Sequence, residues 1–589
     1  MFLPALFALS LAVSTAVAQL SLPQPPWLPP NSSDGAQASD VTSVPNPQWS
    51  NLLGNLLYFY EAQRSGTLPS TNRVSWRNTS ASNDGQDVNL DLSGGYYDAG
   101  DYIKCTYPFS FTLMSICWGA NDFGKGYDLA NQTVYLDDML RWGLDWLIKV
   151  HPSSATLYVQ VADANLDNAY WGGDRNIPSD RPSYQINSTH PGTDAAASAA
   201  AAFAACSNLY AGRTLGFAYS SPASLQNTTY ANTLLTHAEQ LYSFAVNASG
   251  PQQTYQTAVP AAGEAYASSS YGDDLSIAAL FLSWATNSSD LYSASQGFYG
   301  QYQLSGSNAV FNWDSKTPGI PVLFAQLAQA GLSFAGNLSE WQGEAERYFD
   351  HIVDEQKTTG DGLLWYDGDS DDASLNPALN AAMLLTRYAQ IASTQDKKNT
   401  YLATISWSLV KQSFAQRQID YVLGNNSMSA PYIVGSNPNS PSNPHSAMAS
   451  GGDDINNIDT VPQQEAYVLY GAVVGGPNKD DRFWDIRSDW PETEVALDYN
   501  APMLTLAAMH VLNDTSDPFY TRLQVGAFDA RRPSGKPCDE AFPCSNSGLS
   551  TGAKIAIGVV VSVVGLIIIG LGAYYIHRLL RQRKSKPTY

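Results

Sequence analysis

Residues Thr193–Tyr210, TDAAASAAAAFAACSNLY, decide the fold class. Apolar residues recur there at helical spacing behind a Thr that could cap the first turn, so the spacing predicts a helix. An alanine stripe lets neighbouring helices approach closely, which suits concentric helical layers. The same spacing recurs in TVYLDDMLRWGLDWLIKV, TLLTHAEQLYSFAV, DDLSIAALFLSWAT, IPVLFAQLAQAGLSF, SLNPALNAAMLLTRYAQIAS and APMLTLAAMHVL, many of them opening on Thr, Ser or Asp. Strand-like alternation is scarce. Between the helices run long loops rich in Gly, Asp, Asn, Pro and aromatics, where rigid scaffolds usually display their chemistry. The reading is an all-α toroid, one large domain over residues 46–515 with no linker-like break.

The flanks read differently. Residues 1–18, MFLPALFALSLAVSTAVA, form an apolar run ending in small residues at Ala16 and Ala18, the pattern of a secretory signal peptide. Residues 19–45 and 516–553 are rich in Pro, Ser and Asn and read as a flexible leader and a stalk. Ile555–Ile576 is 22 residues without a charge, and a bilayer core needs about 20 in helix, so a single transmembrane helix is expected over 554–577. Arg578, Arg581, Arg583, Lys584 and Lys586 follow it with no acid, which makes 578–589 a cytoplasmic basic tail and leaves the bulk of the chain at the cell surface, outside the plasma membrane. Ten N-x-S/T sequons between Asn31 and Asn513 suit an exported glycoprotein.

A formal charge of −22 argues against nucleic acid and acidic polymers as partners and is compatible with a neutral ligand. Aromatics at 12%, including 14 Trp and 34 Tyr, offer faces on which sugar rings stack. Of five cysteines, Cys538 and Cys544 are placed to pair locally, while Cys105, Cys117 and Cys206 leave one thiol over.

GGYYDAGDYIK, Gly94–Lys104, sets Asp98 and Asp101 three residues apart in a glycine- and tyrosine-rich turn. Asp101 reads either as the N-cap of YIKCTYPFSFTLMSICWG or, with Asp98, as part of an acid–base site.

Several stretches, in order, together resemble glycoside hydrolase family 9, the cellulase family of inverting endo-β-1,4-glucanases: EAQRSGTLP, SWRNTS, GGYYDAGDYIK, RPSYQINSTHPGTDAAASAAAAFAACS, FNWDSKTPG and GAVVGGPNKDDRFWDIRSDWPETEVALDYNAP. The last carries Phe483, Asp485, Trp490, Glu494, Ala496, Asn500 and Ala501 at the family's fixed positions. The resemblance implies an (α/α)6 barrel and hydrolysis of internal β-1,4-glucosidic bonds in cellulose or a related β-glucan. Inversion needs a carboxylic acid at the leaving oxygen and a carboxylate across the ring that activates water, roughly 6.5–9.5 Å apart. By resemblance Glu494 is the acid, Asp101 the base and Asp98 the neighbour that holds the same water. Asp485 and His445 join the catalytic set, and Tyr97, Trp171, Tyr271, Trp313, Arg487 and Tyr499 the sugar-binding set. Asp485 and Arg487 also read as a structural ion pair within DIRSD, and Tyr499 as packing. No Cys/His cluster suggests zinc, and calcium occurs in some relatives of the family although no loop here resolves it; no metal or cofactor is assigned, and a monomer is expected.

Three departures from the family's pattern stand out. Its His-x-Arg signature appears as His445 with Ala447 for the arginine, its Asp-His-x-x-Trp as DNAYW with Asn168 for the histidine, and its Trp-Gly-Ser-Leu-Arg-Tyr as DASLNPALN. They put the usual subsite preferences in doubt and leave two alternatives: a relative trimming short oligosaccharides or another β-glucan, and a non-catalytic surface glycan-binding protein.

Overall fold

The computed structural model of the chain describes residues 19–217, 219, 221–401 and 413–544. The chain divides into two compact units, residues 1–537 and 538–589. Among the described residues the second contributes 538–544, closed by the Cys538–Cys544 disulfide.

Twelve principal helices among the described residues build the first unit: α1 Pro47–Ala62, α2 Thr106–Asp122, α3 Thr133–Lys149, α4 Thr193–Tyr210, α5 Thr228–Asn247, α6 Gly272–Thr286, α7 Ser289–Gln301, α8 Gly319–Gln329, α9 Leu338–Asp354, α10 Leu375–Ala389, α11 Phe414–Val422 and α12 Leu497–Asn513. The even-numbered helices form a closed inner ring, α2 on α4, α4 on α6, α6 on α8, α8 on α10, α10 on α12, and α12 back on α2. Each carries one outer helix: α3 on α2, α5 on α4, α7 on α6, α9 on α8, α11 on α10 and α1 on α12. This is the expected six-hairpin toroid.

The two layers differ as burial requires. Every residue of α2, α4 and α10 is buried, so those helices are mostly apolar or small-residue, and the charged Asp122 of α2 and Arg387 of α10 pair with each other. Outer α9 buries only Trp341, Ala345, Glu346, Tyr348, Phe349 and Ile352, one stripe at helical spacing. Five outer helices are capped by side chains: Asn46, Asn227, Ser288, Asn337 and Ser413 each accept a hydrogen bond from a first-turn amide. None of the six inner helices has such a cap. Thr193, read as a cap from sequence, is instead the first helical residue of α4 behind Gly192. Cys117 and Cys206 bridge α2 to α4, and Cys105 is the free, buried thiol.

The expected flexible leader, 19–45, and residues 516–537 of the expected stalk are tied to the toroid. Leu20 N–H donates to Asp137 Oδ2 at 2.8 Å and Trp27 N–H to Tyr135 Oη at 2.6 Å. The Trp27 indole lies over Gly54 of α1, where a Cβ would stand 2.5 Å from the ring, so glycine there makes the seat. Asp517 accepts from Ser39 N–H and from Asn46 Nδ2, and Phe528 packs against Phe483. Apolar side chains and backbone amides that find partners on the toroid order residues 19–45 and 516–537 despite their loop-like composition.

One small sheet serves the site. β1 (Lys104–Cys105), β2 (Thr156–Val161) and β3 (Ser183–Asn187) run antiparallel in that order, Lys104 opposite Val161 and Cys105 opposite Gln160. No helix among the described residues is long and apolar enough to cross a membrane. The expected signal peptide at 1–18, transmembrane helix at 554–577 and basic tail at 578–589 lie outside the described residues.

Candidate active site

Asp101 does not cap α2, which starts at Thr106 behind Cys105. It sits in an irregular turn held from below by α1's end: Tyr97 N–H donates to the Gln63 carbonyl at 2.9 Å, and Gln63 Nε2 donates to the Ala99 carbonyl at 2.5 Å. Asp98 N–H closes the turn on the Ile103 carbonyl at 2.9 Å. Two glycines have specific reasons. Gly95 has φ +71° and faces Trp146, where a Cβ would come within 2.5 Å; at Gly100 a Cβ would meet the His445 carbonyl oxygen at 2.0 Å.

That close approach joins segments distant in sequence. Ala447 N–H donates to the Gly100 carbonyl at 2.7 Å, and His445 N–H to the Thr493 carbonyl at 2.8 Å in a parallel bridge to Glu494. Leu497 N–H, the first of α12, donates to the Asp98 carbonyl at 3.0 Å. Glu494 itself follows the short helical turn Trp490–Thr493, and its carbonyl accepts from Gly475 N–H at 2.9 Å. The aspartate turn, the His445 segment and the Glu494 segment are thus one backbone-bonded unit at the rim of the inner ring.

Their carboxyls share one poorly solvated space. Asp98 is 3% exposed, and the Tyr266 hydroxyl donates to its Oδ2. Burial nevertheless pushes its pKa up to about 7. Asp101 is half-buried and held well above the carboxylate range, first by burial and then by the charges of Asp167, Glu494 and Asp98. Half-buried Glu494 is raised to about 8 by burial and by the carboxylates of Asp98, Asp498 and Asp372. Asp498, the second residue of α12, accepts from Asn376 Nδ2 at 3.1 Å and is raised to about 7 by burial and by Asp98. Carboxyls this close cannot all ionise at neutral pH, so the cluster divides into groups that keep a proton and groups that give it up.

Other expected residues take up the walls. His445 donates from Nδ1 to the Arg487 carbonyl at 2.7 Å, leaving Nε2 as an acceptor; burial lowers its pKa and keeps it neutral. Trp171 packs on the His445 ring at 4.9 Å but is only 4% exposed, a wall and not an open platform. Trp313 is half-buried and edge-on to Tyr266 at 4.9 Å, beside Asp98. Tyr499 is half-buried and within the field of Glu494 and Asp498.

Three expectations are corrected. Tyr97 is fully buried with its hydroxyl on Ser80 Oγ at 2.8 Å, so it underpins the turn and offers no sugar-facing surface. Arg487 is 1% exposed, pairs with Glu465 at 2.6 Å and binds the carbonyls of Ile458 and Pro462; it pins the 458–465 loop. Asp485 makes no ion pair with Arg487. It is buried, with φ +54°, and accepts from Ser442 and Asn443 amides and from Arg532 at 3.1 Å, holding the turn that leads to His445. Of the other expected residues, Tyr271 is half-buried and packs edge-on against Tyr302 at the start of α6.

The departures from pattern have physical addresses. Asn168 is exposed, and DASLNPALN supplies Asn376 to Asp498. Ala447 is fully buried in a cluster with Tyr97, Tyr102, Trp171 and Met448. Ala447→Arg is therefore expected to overpack that cluster, costing about 1–3 kcal/mol read from the urea midpoint; an unchanged midpoint with a lowered KM would mean that the side chain reaches the cleft instead.

Asp167, Tyr266, Asp498 and Asn376 were not singled out from sequence. Asp167 opens DNAYW, and Asp498 stands four residues after Glu494, with extended backbone at Glu494 and Ala496 between the short turn Trp490–Thr493 and α12. Tyr266 lies in a loop, GEAYASSSY, that carries no local signal.

The sequence model of the family described as "Glycosyl hydrolase family 9" matches residues 49–507. Among similar proteins, Endoglucanase A of Bacillus pumilus is 36% identical over 461 residues, covering 76% of this chain and 64% of that protein. Endoglucanase 15 of Arabidopsis thaliana is 35% identical over 486 residues, covering 79% and 93%. Among solved structures, the endoglucanase of the termite Nasutitermes takasagoensis superposes with a TM-score of 0.68 at 34% identity, covering 79% of this chain and 99% of that one. The cellulase Cel9M of C. cellulolyticum, solved in complex with cellobiose, gives 0.65 at 27%, covering 79% and 98%.

Proposed function

This chain belongs to glycosyl hydrolase family 9, and on that premise we propose that it is an endo-β-1,4-glucanase that cleaves cellulose or a related β-glucan in one inverting displacement. Glu494 gives its proton to the leaving oxygen. Asp101 takes a proton from the water that attacks the anomeric carbon, and Asp98, held by Tyr266, orients the same water. The observation that carries this reading is the bonded unit of the two segments: Leu497 N–H on the Asp98 carbonyl sets Glu494 and the aspartate turn close enough to shift one another's pKa. Glu494, raised to about 8, keeps the proton an acid needs at neutral pH. A glycan-binding protein has no use for such a division of protons.

The anomer of the first-formed sugar tests the displacement. One displacement on a β-linked chain yields α-product, and two return β. Proton NMR within the first turnovers, before mutarotation, is expected to show the α-anomer; early β-product overturns the inverting assignment and the base role of Asp101.

We also propose that residues 554–577 tether the enzyme to the membrane with its catalytic unit outside. The support is in the sequence alone: the charge-free run Ile555–Ile576 and the basic residues after it.

A further inference from the structure

Asp167 is 4% exposed and has no part in the mechanism above. The small sheet brings it to the base. β1 begins three residues after Asp101, β2 runs back beside it, and the short helix Ala164–Asn168 that follows β2 returns Asp167 to the turn. There Asp167 Oδ2 accepts Tyr102 N–H at 2.9 Å, and the carboxyl also receives the Ile103 amide. It is hydrogen-bonded to the Asp101 carboxyl. The other oxygen of Asp101, Oδ1, is enclosed and has no hydrogen-bond partner among the described residues.

Two carboxylates cannot hydrogen-bond without a proton between them. We propose that Asp167 is the positioning residue of the general base: one proton is shared between the carboxyls of Asp101 and Asp167, and the pair, not Asp101 alone, receives the proton of the attacking water. The inference rests on the reading of Asp101 as base.

In the resting pair the negative charge sits mainly on Asp167, where two backbone amides meet it and the Arg181 guanidinium, itself bonded to Asp84, lies near. When the substrate is bound, the shared proton moves along the hydrogen bond to Asp167. Asp101 is then a free carboxylate aimed at the water. The water oxygen bonds to the anomeric carbon, its proton passes to Asp101, and the glycosidic bond breaks as Glu494 delivers its proton to the departing oxygen. The pair ends neutral with two protons and Glu494 ends ionised; loss of one proton from the pair to solvent and gain of one by Glu494 restore the start, with one water consumed.

The groups that face Asp101 are acidic or neutral, while a cation, Arg181, lies at Asp167. Asp101 meets Asp98 on its own turn, Glu494 from the segment before α12 and the Cys105 thiol from β1; Asp167 meets Asp101, Cys105 and Arg181. Removing Asp167 therefore removes a negative neighbour from Asp101, and the base then ionises at lower pH.

The test is the kcat/KM pH profile of Asp167→Asn on a soluble cellulose derivative. The acid limb is expected to move to lower pH by about one unit or more, with kcat down roughly 10- to 100-fold and KM little changed. A variant whose limb stays in place, whatever its rate, overturns the proposal, because a purely structural residue lowers the rate without moving the limb. Should that variant not fold, the infrared difference between the native enzyme and Asp101→Asn at the native pH optimum decides: the native enzyme is expected to show a protonated-carboxyl band that Asp101→Asn lacks, with Glu494 cancelling. No lost band overturns the shared proton. Failure of the underlying reading looks different, since Asp101→Asn would then keep its activity.

Discussion

Asp101→Ala is expected to lose about 10²–10⁴ in kcat on every substrate, because it leaves the attacking water without the group that takes its proton. The loss should not depend on the leaving group. Departure of the alcohol is Glu494's task, and an activated aryl cellobioside should lose as much as cellulose does. Removing a half-buried carboxyl also opens space on the water's side of the bond. Azide, a small anion that needs no base, is expected to enter there and restore turnover, giving the α-glycosyl azide from a β-linked substrate. The buried neighbours Asp98 and Asp167 remain in that variant. If either served as the base by itself, the variant would keep most of its rate without azide, and the assignment of Asp101 would fall.

Glu494→Gln is expected to behave in the opposite way. Glutamine keeps the shape but has no proton to give, so hydrolysis of cellulose, whose leaving alkoxide is poor, should drop by about 10²–10⁴. An aryl cellobioside with an acidic phenol leaves without help and should retain far more of its rate. The pH profile carries the second half of the test. A general acid works only while protonated, so native activity should decline as pH rises through about 8, where Glu494 gives up its proton. That alkaline limb should disappear from the variant's residual activity on the activated substrate. Equal losses on both substrates, or a limb that persists in the variant, would move the acid role elsewhere; Asp498, raised to about 7 four residues further along, is the neighbour such a result would point to.

Much of the architecture could be read before any coordinates. TDAAASAAAAFAACSNLY cannot be a surface helix, since it has no polar face, and in the structure all of α4 is buried in the inner ring. Which helix touches which was not written there. Ring closure, α12 on α2, depends on packing between segments almost four hundred residues apart, and periodicity speaks only of a helix's own faces.

At the site the division is sharper. By itself the sequence determined the residue types and their order: two aspartates in a glycine turn, a glutamate in a long motif, and a family resemblance that ties them together. It also determined that a long apolar run follows the catalytic unit. It misassigned Tyr97 and Arg487, because an aromatic or a cation in a motif has the same letters whether it faces sugar or a neighbouring carbonyl. Tertiary structure alone decided that Gly100 lies against the His445 carbonyl, that Tyr266 reaches Asp98 and Asn376 reaches Asp498, and that β1 and β2 return Asp167 to Asp101. The physical reason is that a carboxyl's proton affinity depends on the solvent it has lost and the charges within a few ångströms, and both are properties of the folded space around it, set by segments that share no local pattern.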